Sequence, residues 1–274
     1  MGDVTELALA DGLALGLDEG VLTLTFNRPD RGNAVTAEMA QSLAGVFRAA
    51  GSDDRVRCVL VRGEGPNLSA GGDVAGFART LELSADERSA LFRGRLERAA
   101  DMVRAVLTLD RPLVVVHRGA AAGAGLLFTL AADEVISDES ASFVFAHQRV
   151  GLPPDGGVSF LLPRIVGWRA ARRLVMGAAR VTAQEALDLG LLDRILVEEE
   201  VEAEAARVTA RFARAPQKAL RSAKRLFNDP LCRALDLQLE AETAAIADAV
   251  GDEDFVEGVR AFVEKRRAEF PSTR

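Results

Sequence analysis

The stretch VRCVLVRGEGPNLSAGGDVAGF, Val56–Phe77, joins a continuous apolar run to a segment of small residues, two glycines and an aspartate. Its first eight residues have the composition of a strand buried on both faces. The small residues after them leave the backbone bare where a helix is due to begin. A second junction has the same make-up: PLVVVHRG, Pro112–Gly119, reads as a strand and runs into AAAGAGLLFTLAAD, Ala120–Asp133, which reads as a helix of small residues. Free N–H groups at a helix start accept anions, and small side chains let a ligand approach them closely. Two such junctions facing each other would hold one oxygen between two N–H donors. Small residues serve equally to pack a strand tightly on a helix. Gly119, Gly123 and Gly125 miss the G-x-G-x-x-G spacing of a dinucleotide site.

Working outward, VLTLTFNRP alternates Leu22, Leu24 and Phe26 with threonines, the period of a half-buried strand that Pro29 stops. Thr36 caps a helix carrying Met39, Leu43, Val46 and Phe47 on one face, and Ser84 to Leu109 reads as one long helix. Strands alternating with helices by crossovers predict an α/β core. From about Val197 strands vanish, and four amphipathic helical stretches succeed them, broken near Pro216, Asn228–Pro230 and Gly251–Asp254. The expected organisation is therefore a core over residues 1–197 and a helical region over 198–274. The stripe Phe255, Val259 and Phe262 needs a partner surface, in this core or in another subunit.

Composition sets outer bounds. The 274 residues suffice for one substantial core plus an appendage, and 49% hydrophobic with 27% charged residues is ordinary globular composition. No apolar run reaches the length of a membrane span and the N-terminus has no basic secretory region, so the default expectation is a cytoplasmic protein. Cys58 and Cys232 give neither a disulfide framework nor a ligand spacing, and with two histidines, His117 and His147, no metal site is expected. A net charge of −7 argues against a nucleic-acid partner but leaves room for a polyanionic small ligand met by local arginines.

Six segments carry a resemblance, in order and over nearly the whole chain: NRPDRGNAV, LSAGGDV, GAAAGAGLLFTLAAD, VGLPPDGGVSFLLPRIVG, ARRLVMGAARVTAQEALDLGLLDRI and EGVRAFVEKRRAEF. They resemble successive motifs of the enoyl-CoA hydratase/isomerase (crotonase) family. The resemblance implies a spiral of strand–strand–helix turns, a helical C-terminal region that builds trimers or hexamers, and an acyl-CoA thioester substrate, with coenzyme A part of the substrate and no resident cofactor. It places the thioester oxygen between the N–H groups of Ala70 and Ala124. Coenzyme A contacts are implied at Arg31 and Ala34, along Ala70, Gly72, Asp73 and Val74, and at Phe262 and Lys265. Independently of the family, Asp73 reads as the cap of the following helix, Arg31 as a solvated loop residue and Phe262 as core.

Two positions depart from the family's hydratases, whose paired glutamates correspond here to Leu127 and His147. Leucine moves no proton; a histidine can, with an ordinary pKa near 6.5, but also serves as packing or a loop hydrogen bond. Asp155 in GLPPDGG stands where family members that shift a double bond or displace an aryl halide keep their base or nucleophile, and it reads equally as a turn or helix-capping aspartate. The motif resembles in particular that of the oxepin-forming phenylacetyl-CoA isomerases. One carboxylate suffices to lift a proton from one carbon and return it to another, so isomerisation with Asp155 as base is the leading expectation. Hydration with His147 replacing a glutamate and a catalytically weak acyl-CoA-binding protein are the alternatives. A serine triad of Ser69, His147 and Asp155 ranks lower, for want of a nucleophile elbow.

Overall fold

The computed structural model describes residues 3–269, less the side chains at positions 230, 233–235 and 241. Through the first half the chain forms β1 Leu13–Asp18, β2 Val21–Phe26, α1 Ala37–Ser52, β3 Cys58–Gly63, α2 Val74–Phe77, α3 Ala85–Thr108, β4 Leu113–His117, β5 Ala120–Ala122 and α4 Leu126–Ala131. The second half adds β6 Glu134–Asp138, β7 Ser142–Val144, α5 Val158–Val166, α6 Trp168–Met176, β8 Arg180–Thr182, α7 Ala183–Asp188, β9 Arg194–Leu196, α8 Glu198–Arg214, α9 Gln217–Ala249 and α10 Glu253–Val263.

Six strands form the main sheet in the order β1-β2-β3-β4-β6-β9, antiparallel at β1–β2 and parallel elsewhere. A second sheet orders β5-β7-β8. The apolar runs of β3 and β4 are explained by burial on both faces. Val59, Val61 and Val115 join Met39, Leu43 and Phe47 of α1 in the principal core. The alternate residues Cys58, Leu60, Val114 and Val116 pack on Val201, Ala205 and Val208 of α8. The first helix beyond position 197 thus covers one face of the sheet.

Local signals set the helix starts. Thr36 accepts from the Met39 N–H at 3.2 Å, and Ser84 and Glu87 form a reciprocal capping box at α3. Two expectations are corrected. The segment from Ala120 begins as a strand, because Ala120–Ala122 pair with Ser142–Val144, and the helix proper starts only at Leu126. The tail holds three helices among the described residues: α9 runs unbroken through Asn228–Pro230, anchored by Asn228, whose amide donates to the Leu107 carbonyl at 2.9 Å, and by Lys224, which donates to the Arg111 carbonyl at 2.8 Å and to Asp133 at 2.5 Å. Tertiary bonds here outweigh the one backbone bond a proline removes. Phe255 of α10 packs edge-on against Phe92 of α3, with ring centres 5.4 Å apart. Positions 270–274, including Phe270 of the last motif, lie outside the described residues. Among the described residues no helix is long and apolar enough to cross a membrane, and no three His, Cys, Asp or Glu side chains gather as metal ligands.

Candidate functional site

The two small-residue junctions lie side by side. Leu68 and Ser69 donate to the carbonyls of Arg118 and Ala120 at 2.8 and 3.1 Å, and Ala122 donates back to Ser69 at 3.0 Å, so the chain leaving β3 is stitched to the chain leaving β4. Asn33, buried, fastens the first junction by donating to the carbonyls of Glu64 and Asn67. The contact is backbone on backbone: a Cβ placed on Gly71 would fall 2.6 Å from the Ala122 oxygen, and one on Gly123 would lie 3.6 Å from the Gly72 nitrogen. Gly71 also has φ +89°, where a side chain would be strained.

Following the N–H groups along this junction identifies a donor. Ala70, expected to hold the oxyanion, instead donates to the Gly32 carbonyl at 2.8 Å, and Gly71 donates to the Ser69 hydroxyl at 3.2 Å. The Gly72 N–H meets no acceptor among the described residues. Across the gap, Ala124 lies in the first turn of the short helix Gly123–Gly125, where N–H groups have no intrahelical partner. Ser69, buried, is engaged in structure: its hydroxyl donates to the Asn33 carbonyl at 2.8 Å. Asp73 caps α2 by accepting from Gly76 at 3.0 Å, as its capping reading required.

Gly72 and Ala124 open onto a cavity of about 870 Å³, whose wall also includes Ala70, Asp73, Val74, His147, Asp155 and Phe262. Of the positions expected to meet coenzyme A, Arg31 is exposed beside Asp30 at 3.5 Å, Ala34 is buried, and Lys265 is exposed beyond α10; none of these three lines the cavity.

Asp155 and His147 are brought together. The ring Nε2 of His147 lies 3.5 Å from Oδ1 of Asp155, with the side chains 8% and 28% exposed. Both ring nitrogens of His147 are buried without a hydrogen-bond partner, so the pair is near but not bonded. Helix α5 takes no cap from an aspartate; its N-cap is Gly157, and Asp155, two residues before it, lines the cavity. A Cβ on Gly156 would lie 3.8 Å from the Ala124 Cα, which sets the Asp155 turn directly against the second junction. Leu127, at the position of a hydratase glutamate, is wholly buried in the principal core and does not line the cavity.

Sequence reasoning missed the basic part of the wall. Arg79, Arg95, Arg98 and Arg149 line the cavity, with Glu38 among them. Arg95 lies over the rings of Phe77 and Phe92, at 5.8 and 5.2 Å from their centres. On an amphipathic helix such arginines read as a solvated face; the signal was the spacing of Arg95 from Phe92, three residues on, which sets its guanidinium beside that ring on one face of α3.

Comparison with known proteins gives the family and the fold. A family model described as enoyl-CoA hydratase/isomerase matches residues 16–273. The chain is similar to "1,2-epoxyphenylacetyl-CoA isomerase" of Escherichia coli (strain K12), 33% identical over 93% of this chain and 96% of the relative. It is similar at 34% identity to "Probable enoyl-CoA hydratase" of Rhodobacter capsulatus, over 93% of this chain and 95% of the relative. Among solved structures, an enoyl-CoA hydratase from Mycobacterium avium subsp. paratuberculosis K-10 superposes with a TM-score of 0.85 at 32% identity, covering 96% of this chain and 99% of that one.

Proposed function

The chain belongs to the enoyl-CoA hydratase/isomerase family and has its crotonase fold, and from that premise we propose that it moves a double bond within an acyl-CoA thioester, with Asp155 as the base. The observation that carries this reading is what faces the second junction: the Asp155 turn lies against Ala124, the nearby Asp73 is engaged in capping α2, and Leu127, at the position of a hydratase glutamate, is sealed in the core.

With the thioester oxygen between the Gly72 and Ala124 N–H groups, removal of the α proton places charge on that oxygen as an enolate. Fixed donors aimed there contribute roughly 10²–10³ in rate each, and being main-chain they need no side chain. Asp155 takes the proton from the α carbon of a β,γ-unsaturated acyl group and returns it to the γ carbon, leaving the α,β-unsaturated thioester. No activated water is needed. Arg79, Arg95 and Arg98 supply the local positive charge to receive the anionic coenzyme A portion despite the acidic total. The exposed Leu226, Phe227 and Leu237 of α9 support assembly into trimers or hexamers.

His147 beside Asp155 favours one second reading, hydration of an enoyl-CoA with the imidazole handling water. Turnover of a β,γ-unsaturated and an α,β-unsaturated acyl-CoA by the parent, Asp155→Asn and His147→Ala separates them. Isomerisation lost in D155N and retained in H147A supports the first reading; hydration lost in H147A supports the second.

A further inference from the structure

Helix α9 sends one buried carboxylate to the Asp155 turn that the reaction does not use. Glu242 is 5% exposed. One of its oxygens accepts from the Gly157 N–H at 3.0 Å; the other accepts from the Ser159 hydroxyl, which in turn accepts from the Gln238 amide at 2.7 Å. The turn held in this way closes with one bond of its own, from the Val158 N–H to the Asp155 carbonyl at 3.1 Å, and brings no side chain to reinforce it. Gly156 and Gly157 are both left-handed, with φ +62° and +79°, and offer no side chains to pack. Gly157 is the N-cap of α5 yet brings no capping side chain. Glycine pairs are conformationally permissive, so a bond from outside the turn narrows the shapes it can take.

We propose that Glu242 is a positioning residue, reaching from α9 to clamp the Gly156–Gly157 turn so that the Asp155 carboxylate stays against the Ala124 junction. The proposal rests on Asp155 being the base. It assigns the C-terminal helix a part in the reaction through a residue that touches no substrate. Its chemistry is specific: what is required at position 242 is an oxygen acceptor for the Gly157 N–H, charged or not. The carboxyl also feels Asp155, whose charge adds to burial in raising its pKa, so the two groups are close enough to sense each other.

The test measures kcat and KM for double-bond migration in the full-length parent, Glu242→Ala, Glu242→Gln and Asp155→Asn, each with its thermal unfolding midpoint. A loosened catalytic group costs about ten- to a hundredfold in rate. The expected result is that E242A loses kcat by that factor with KM within twofold, at a temperature where it is fully folded, and that E242Q, which keeps the acceptor oxygen, recovers most of it. A merely structural Glu242 would lower the unfolding midpoint and leave kcat of the folded enzyme alone. A folded E242A with parental kcat, or E242Q as slow as E242A, overturns the proposal. If E242A does not fold, Glu242→Asp, which shortens the reach while keeping the carboxylate, is judged by the same drop in kcat. Activity surviving in D155N would instead overturn the assignment of the base, a separate failure.

Discussion

Replacing Glu242 with glutamine should change how the stability of the protein depends on pH. Burial pushes the Glu242 carboxyl up to about 7, against an ordinary value of 4.5, with the neighbouring Asp155 charge acting in the same direction. Between those values the folded protein holds a proton that the unfolded chain has released. That proton's contribution is complete below the ordinary value and is lost as pH rises through the raised one. The interval corresponds to about 3 kcal/mol at 1.36 kcal/mol per unit. Glutamine carries no such proton, and its carbonyl can still accept from Gly157. Denaturant unfolding of the parent and E242Q at about pH 5 and pH 8 measures the effect, because the other titrating groups cancel in the difference between the two proteins. The variant should gain about 2–3 kcal/mol on the parent between those pH values. Parallel stability curves would refute the assignment of Glu242 as a carboxyl held protonated by its surroundings.

Three further substitutions probe other parts of the account. Gly71→Ala puts a Cβ 2.6 Å from the Ala122 oxygen at a φ of +89°, so it should part the two junctions and lower kcat by about a hundredfold, as loss of one fixed donor does; parental kcat in a folded variant would contradict the backbone pairing. Lys224→Met removes the bond to Asp133 at 2.5 Å and to the Arg111 carbonyl at 2.8 Å. Because Asp133 is one-third exposed and still accepts from Leu113, the cost in urea unfolding should be about 1–3 kcal/mol, and a change below about 0.5 kcal/mol would show that α9 is anchored elsewhere. His147→Ala should leave isomerisation within about tenfold of the parent while abolishing any hydration of crotonyl-CoA; hydration that survives removes the histidine from that reaction.

How much could be read from the sequence depended on the range of the interactions involved. The starts of α1 and α3 could be read because their caps are local: Thr36 acts on Met39, and Ser84 and Glu87 act on each other. The short β5 could not, since alanines have no strand preference and Ala120–Ala122 become a strand only by pairing with Ser142–Val144. The bare junctions were visible as clusters of small residues. Which N–H was spent was not, because the acceptor for Ala70 is the carbonyl of Gly32, supplied by another loop. Asp155 could be singled out by its motif, but its partner at the turn, Glu242, lies 85 residues from Gly157 on a helix whose pattern reads as an ordinary amphipathic face. The arginines of the cavity were hidden by their type, which on a helix signals solvent first.

The most direct test of the central claim tracks the α protons of a saturated acyl-CoA, and the double bond of a β,γ-unsaturated one, by NMR in deuterated water with the parent and with Asp155→Asn. The expected result is deuterium uptake and double-bond migration in the parent and neither in D155N, with acyl-CoA binding retained. Uptake that persists in D155N would contradict Asp155 as the base, and a parent that binds these thioesters without exchanging a proton would contradict enolate chemistry at this site.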